Sequence, residues 1–374
     1  RHSTRLGLTV TQALLKGYDV NANLVNIRKS ELDVASSEYE LRGFIESLVA
    51  QVESTYWDYV LSLKQLKILE ESLALAEESR RQTAERISIG KLAETELAAA
   101  EAEVALRKQD LINAKASLSS IRLRLLRLHT PPASNLWEIQ IIAKEEPSIP
   151  QVELDDVENH INVALKMRPE MNQAKLQVLK GELDVIKTKD GLLPKLDAFL
   201  SLGRSGYADS LWDSIRNFNE RNHDFSGGLI FEFPLGNRAA KAQTKRALLS
   251  HEQSLLALQN LSQLIEVDIR SAYVEVRRSK EQVTASAATR KLQEEKLRAE
   301  NEKFNVGKST AFMVAQAQRD FVRSQVSEVE AVVKYLKALV DLYRLEGSLL
   351  ERRGISAPGR TPVTLPLETT EEKK

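Results

Sequence analysis

One constant separation in the numbering, the one that carries Tyr56 onto Tyr273, also carries Leu75, Glu77, Glu78, Arg81 and Glu85 onto Leu292, Glu294, Glu295, Arg298 and Glu302. Without a gap it then carries Gly90, Lys91, Ala98, Ala100, Leu125, Arg127 and Leu128 onto Gly307, Lys308, Ala315, Ala317, Leu342, Arg344 and Leu345. A chain that repeats itself at a fixed spacing builds the same unit twice, so the duplication constrains architecture before any local reading. Each copy reads as a long helical hairpin.

From Tyr18 to Ser88 there is no Pro and no tight-turn cluster, and Ile45, Val49, Val52, Tyr56, Tyr59, Leu63 and Leu66 recur at spacings of three and four. This predicts one helix of roughly 70 residues, about 105 Å long. Such a rod is longer than a globular domain is wide. It reverses at Ile89, Gly90 and Lys91, where glycine accepts a left-handed cap, and returns from Thr95 to Leu128. Ala98, Ala99, Ala100, Ala102 and Ala105 are expected to taper the tip, and His129, Thr130, Pro131 and Pro132 end the return. The second copy descends from Arg238 to Asn305, turns at Val306, Gly307 and Lys308, and rises to about Leu350.

Between the rods the period changes. Leu6, Leu8 and Val10 alternate with Gly7, Thr9 and Thr11, which predicts a strand over 5–16. After Pro194, the alternating runs Leu196 to Leu202 and Phe225 to Phe233 predict two more strands around a polar loop at 204–223, of the kind found on the outside of a membrane barrel. Residues 131–156 read as an irregular connection and 168–191 as a helix. Residues beyond Gly354, with Pro358, Pro362 and Pro366, read as a tail without fixed structure. The organisation expected is a strand in 1–17, a long hairpin in 18–128, a connecting region with a helix in 129–191, a strand pair in 192–237, a second hairpin in 238–351 and a tail in 352–374. All strands gather at one end of a helical bundle.

Composition narrows the partners. Lys and Arg total 53 and Asp and Glu total 53, so no basic footprint for nucleic acid or an anionic bilayer surface exists. Cysteine is absent, which removes thiolate metal sites and cysteine catalysis. No apolar run approaches the roughly 20 residues of a spanning helix, so membrane contact must come from strands or from an anchor. The sequence starts at Arg1 with no signal pattern before Leu6, and reads as a piece of a chain whose natural start lies upstream.

Chemistry-bearing motifs fail when tested. Gly307, Lys308, Ser309 and Thr310 suggest a phosphate loop, but the first glycine of that motif would fall at Glu302 and no strand precedes it. The five histidines never take metal-site spacing, and the carboxylates alternate with Lys and Arg along helices as solvated faces do. No catalytic, cofactor or metal residue is nominated. Tyr56, Tyr59 and Tyr273 sit at core spacing. The two tips, where Gly and Lys recur beside Ile89 or Val306, are candidates for partner docking.

In chain order, Leu6 through Gly17, Arg168-Pro169-Glu170, Leu193 through Leu196, Phe233 through Arg238 and Phe304 through Thr310 resemble the landmarks of TolC-like outer membrane efflux proteins. The resemblance covers about residues 5–350. It implies a mainly helical fold with membrane β-structure: a homotrimer whose protomers each give four strands to one shared barrel in outer membrane lipid and four helical stacks to a periplasmic α-barrel. It further implies export of substrates passed on by an inner-membrane efflux pump or ABC exporter and a periplasmic adaptor. The adaptor would dock at the tips, on Gly90, Lys91 and Leu92 and on Gly307, Lys308 and Ser309. The chain shows only three strands, so the family's first helix and strand are expected upstream of Arg1. Aspartates that narrow the family's pore match Met313 and Gln316 here. Glu94 and Glu96, after the first tip, are the expected replacement ring. The rival reading is a soluble coiled-coil scaffold or a periplasmic adaptor, with similar rods and no membrane strands.

Overall fold

The computed structural model describes residues 2–131, 136–144, 146–150, 153–210, 212 and 223–365. Its elements in chain order are strand β1 (His2–Ala13), helices α1 (Val20–Ser88) and α2 (Thr95–His129), and a 3-10 turn (Leu136–Glu138). Helices α3 (Val157–Met167) and α4 (Pro169–Asp190) and strands β2 (Lys195–Ala208) and β3 (His223–Glu232) follow. Helices α5 (Arg238–Asn305), α6 (Ala311–Glu346) and α7 (Leu349–Arg352) complete the described chain. The duplication is visible in the lengths: α1 and α5 have 69 and 68 residues, α2 and α6 have 35 and 36. At 1.5 Å per residue the longer pair each run about 100 Å.

The chain divides into two compact units. One gathers Arg1–Glu40, Glu170–Ser262 and Thr361–Lys374. Its sheet is antiparallel in the order β1-β2-β3, with Leu8 opposite Leu202 and Leu202 opposite Phe225. Lys16 N–H still reaches the Pro194 carbonyl at 3.2 Å, but Pro194 has no N–H to return, so β1 ends at Ala13 and not at 16. β2 runs on to Ala208 because β1 continues to pair with it as far as His2, which converts 204–208 from expected loop to strand. Of the remainder of that loop, 209, 210 and 212 are described and His223 opens β3; the others lie outside the described residues.

Below the sheet, the Asp190 carboxylate accepts the Gly17 amide at 3.1 and 3.2 Å, and Asn23 donates to the Gly17 carbonyl at 2.7 Å. Lys29–Asp184 (2.9 Å) and Lys180–Asp33 tie α1 to α4 around a core that includes Val25, Leu176 and Val185. The segment expected to be a tail is in place up to Leu365. Val363 N–H donates to Asn172 Oδ1 at 2.8 Å, Tyr39 donates its hydroxyl to the Thr361 carbonyl, and Leu365 is buried. Proline spacing hid this, because an extended segment laid on helices needs no apolar period. Residues 366–374 are outside the described part.

The second unit holds Leu41–Pro169 and Gln263–Arg360. Val60, Leu126, Ile265, Ile269, Val276, Val333, Leu342, Leu349 and Leu350 form its core. Tyr59 belongs to it, donating to the Ile141 carbonyl at 2.9 Å, whereas Tyr56 and Tyr273 are half-buried. Helix α3 is an addition to the sequence reading. Asp156 caps it by accepting the Val157 amide at 2.8 Å, and Ile161 and Ala164 turn inward. Pro169 then starts α4 where an amide would be unpaired anyway.

Helix α6 stops at Glu346, four residues before the expected end near Leu350. Gly347 takes φ +74, and its amide and that of Ser348 bond back to the Arg344 and Tyr343 carbonyls, both at 3.0 Å. Around this turn, Arg42 pairs with Glu46 at 3.3 Å and with Glu351 at 2.5 Å, while His160 Nδ1 lies 3.2 Å from Glu346. A Cβ on Gly347 would stand 3.0 Å from Arg168 Cα, Arg168 N and Met167 C, all backbone. Gly90, at φ +72, has open space around it. Ala at Gly90 should therefore cost only the left-handed penalty, about 1–2 kcal/mol. Ala at Gly347 adds overpacking of about 1–3 kcal/mol. Denaturant unfolding of the two variants measures this, and equal destabilisation would contradict the packing described.

Candidate functional site

Two surfaces stand out. The first is the sheet. Directly opposed residues share a face, so Leu6, Leu8 and Val10 of β1 lie with Leu196, Leu200 and Leu202 of β2 and with Phe225, Leu229 and Phe231 of β3. The other face carries Thr9, Thr11, Ser201, Asp197, Ser226 and Glu232, with Phe199 and Ile230 as its large apolar residues. Thr9 and Ser201 hydroxyls meet across the strands at 2.9 Å, and Arg5 pairs with Asp224 at 3.2 Å. In a water-soluble sheet the apolar face would be covered. Here Leu8, Phe225 and Leu229 are 66%, 71% and 68% exposed, and every residue of β3 is exposed. An apolar patch of that extent marks a surface made for another apolar medium or partner.

The band has limits. Phe231 and Phe233 stack at 6.5 Å near the end that leads to α5, and Arg204 and His223 close the opposite end. Along β2 the apolar side chains run from Leu196 to Leu202, roughly 20 Å at about 3.3 Å per residue. That approaches the height of the outward apolar band of membrane barrels, about 25 Å. The strands also leave work undone: among the described residues, β1 and β3 each pair on one side only. No described helix is long and apolar enough to cross a membrane.

The second surface is the pair of hairpin tips. Gly90 N–H bonds to Ile87 O at 2.9 Å and Lys91 N–H to Arg86 O at 2.9 Å; Gly307 N–H bonds to Phe304 O at 3.1 Å and Lys308 N–H to Lys303 O at 2.8 Å. Both are the same six-to-one and five-to-two closure of a helix end, with the glycine left-handed. The structure brings the tips side by side: the Arg86 guanidinium sits 4.7 Å over the Phe304 ring and donates to Asn305 Oδ1 at 3.0 Å. Behind them, Glu103 binds Arg107 at 2.6 Å and Arg319 at 2.9 Å, joining α2 to α6.

Of the residues nominated at the tips, Gly90, Lys91, Gly307 and Lys308 are exposed. Leu92 and Ser309 are half-buried, and Ser309 donates its hydroxyl to Glu300. That bond, with a second from Lys303, holds the Glu300 carboxyl below its ordinary value. Ile89 and Val306, treated in the sequence only as flanks, are 65% and 69% exposed and extend the same surface. Their equivalent places in the two copies are the signal that identifies them. Glu94 and Glu96 separate: Glu94 is exposed at the start of α2, while Glu96 Oε2 is buried. Among the described residues there is no cluster of His, Cys, Asp and Glu able to hold a metal ion.

A model of the outer membrane efflux protein family matches residues 2–129 and 160–348. Among solved structures, the chain is similar to the CmeC outer membrane channel of Campylobacter jejuni, at 16% identity over 100% of this chain and 81% of that one, with a TM-score of 0.71. It is similar to the outer membrane protein VceC of Vibrio cholerae, at 12% identity over 93% and 87%, TM-score 0.73. It is also similar to a membrane protein of Pseudomonas aeruginosa, at 15% identity over 92% and 81%, TM-score 0.76. No curated protein sequence matches. The family match spans both hairpins and all three strands, which sets aside the scaffold and adaptor alternative. The family is one of transport channels, not of enzymes. The chain belongs to the outer membrane efflux protein family, and is an export channel of the outer membrane of Gram-negative bacteria.

Proposed function

We propose that three copies of this chain close one barrel through the free edges of β1 and β3 and continue it as a periplasmic duct of paired helices. Substrates received from an inner-membrane pump or ABC exporter leave through it with no bond made or broken. The inverted sheet carries the proposal. Lipid offers no water to unpaired N–H and C=O groups, so an open three-stranded sheet cannot stand in a bilayer, whereas closure between copies removes every edge. The helices support the same assembly. Ile27, Val34 and Leu41 on α1 recur every seven residues and are exposed, as are Leu249 and Leu256, then Val267 and Val274, on α5. Exposed stripes at that spacing pack against a neighbouring helix. The detergent-solubilised protein is expected at three times the 42.0 kDa of one chain. Single copies dispersed in plain buffer would contradict the assembly.

Lys91 and Lys308 with Ile89 and Val306 form the surface proposed to receive a periplasmic adaptor, together with Gly90 and Gly307. Opening is an iris motion of the tips, driven by a partner that binds the open arrangement more tightly than the closed one. Glu94 is the carboxylate proposed for the ring at the entrance; the burial of Glu96 Oε2 favours leaving Glu96 out of it. In planar bilayers Glu94→Gln should lower cation over anion permeability, and Glu96→Gln should leave it near the native value. Equal effects of the two would remove the ring as drawn.

A further inference from the structure

We propose that the far end of the apolar sheet face is a binding site for one phosphorylated membrane lipid, whose head group is held by Arg204 with His223 and whose acyl chain lies on the apolar residues beside them. The proposal rests on the reading of the sheet as a membrane surface. Leu6, Arg204 and His223 are opposed across the three strands, so all three side chains project from the apolar face. Arg204 Nε donates to His223 Nδ1 at 3.1 Å. That single bond orients the guanidinium and leaves its two terminal amino groups as a free fork among the described residues. Because Nδ1 accepts, the imidazole proton lies on Nε2, a further donor at the same place.

The two arginines at this end of the sheet are provided for differently. Arg5, on the polar face, has its carboxylate in Asp224 at 3.2 Å, and Ser205 donates to the same group at 3.4 Å. Arg204, on the apolar face, has no carboxylate among the described residues. A cation on a lipid-facing surface requires water or a counter-charge, and a planar guanidinium fork matches two phosphate oxygens. Next to it, a shallow concavity of about 550 Å³ is bordered by Leu6, Leu8, Leu202 and Phe225, by Arg204 and His223, and by Asp224, whose side chain belongs to the other face and is paired with Arg5. One end of the hollow is cationic and the rest apolar, the complement of a phosphate joined to a hydrocarbon chain. β2 follows α4 through Pro194, so Arg204 lies at the end of the sheet away from the helix that feeds it; with the helices periplasmic, as proposed, that end is in the outer leaflet.

The test titrates the full chain, in a phosphate-free maltoside detergent, with a pyrene-labelled phosphatidic acid and with the diacylglycerol of the same chains. The phosphorylated lipid is expected to bind about tenfold more tightly, as a charge-assisted bond to an ionised partner requires. Arg204→Gln should abolish that preference, and Arg204→Lys should retain part of it, because the charge stays while the fork is lost. Inorganic phosphate should not displace the lipid. Equal affinity for the two lipids, or a preference that survives Arg204→Gln, overturns the head-group site while leaving the membrane sheet standing. Displacement by inorganic phosphate also overturns it, leaving a plain anion site. Failure to bind either lipid, in protein that stays dispersed without detergent, overturns the membrane reading and this inference with it.

Discussion

Backbone hydrogen bonding in a medium without water is the constraint from which the assembly proposed for this channel follows. A strand that faces lipid must give every N–H and C=O a partner, and three strands in the order β1-β2-β3 leave two rows unpaired. The side chains agree with the backbone. Leu6, Leu8, Leu202, Phe225 and Leu229 are exposed on one face, while on the opposite face Thr9 pairs with Ser201 and Arg5 with Asp224. That arrangement inverts a soluble sheet, and closure between copies is the solution proposed for it. Net charge near zero is no obstacle to the assembly proposed, which would attach by apolar area and not by attraction to anionic head groups over the whole surface.

The hairpins answer a different demand, that of reach. Helices about 100 Å long are stable only when packed, and most of their burial is modest, with alanine, valine and leucine in thin seams. Buried charged and polar side chains gather at one place in the second unit. There Arg42, Glu46, His160 and Glu346 are all buried around the turn at Gly347, and a Cβ on that glycine would press on backbone at 3.0 Å. At the tips the same glycine geometry occurs in open space, with exposed residues around it. One backbone motif therefore serves as a fixed joint in one place and as an accessible surface in another; the neighbours decide which.

Much of this was legible in the sequence because the duplication repeats every important feature. Gly90 and Gly307 mark turns of identical hydrogen bonding, and the alternation around Leu8 and Leu202 marks the face that proves to be exposed. What was not legible depended on contacts between distant segments. The end of β1 at Ala13 is set by Pro194, and the placement of 361–365 by Asn172 and Tyr39. Helix α3 is short, and its own period is lost beside the irregular stretch before it. Glu94 and Glu96, two residues apart, look equivalent in a list of residues, and only the direction of each side chain separates an exposed carboxylate from one with a buried oxygen.

The central claim is that one face of this sheet lies in lipid and the other in water. Because the chain contains no cysteine, single cysteines can be placed along β2 from Leu196 to Leu202 and spin-labelled in liposomes without any background. The account predicts an alternating pattern: labels at 196, 198, 200 and 202 relax with oxygen dissolved in the bilayer, and labels at 197, 199 and 201 with a water-soluble nickel chelate. Uniform access of the chelate to both sets would contradict it.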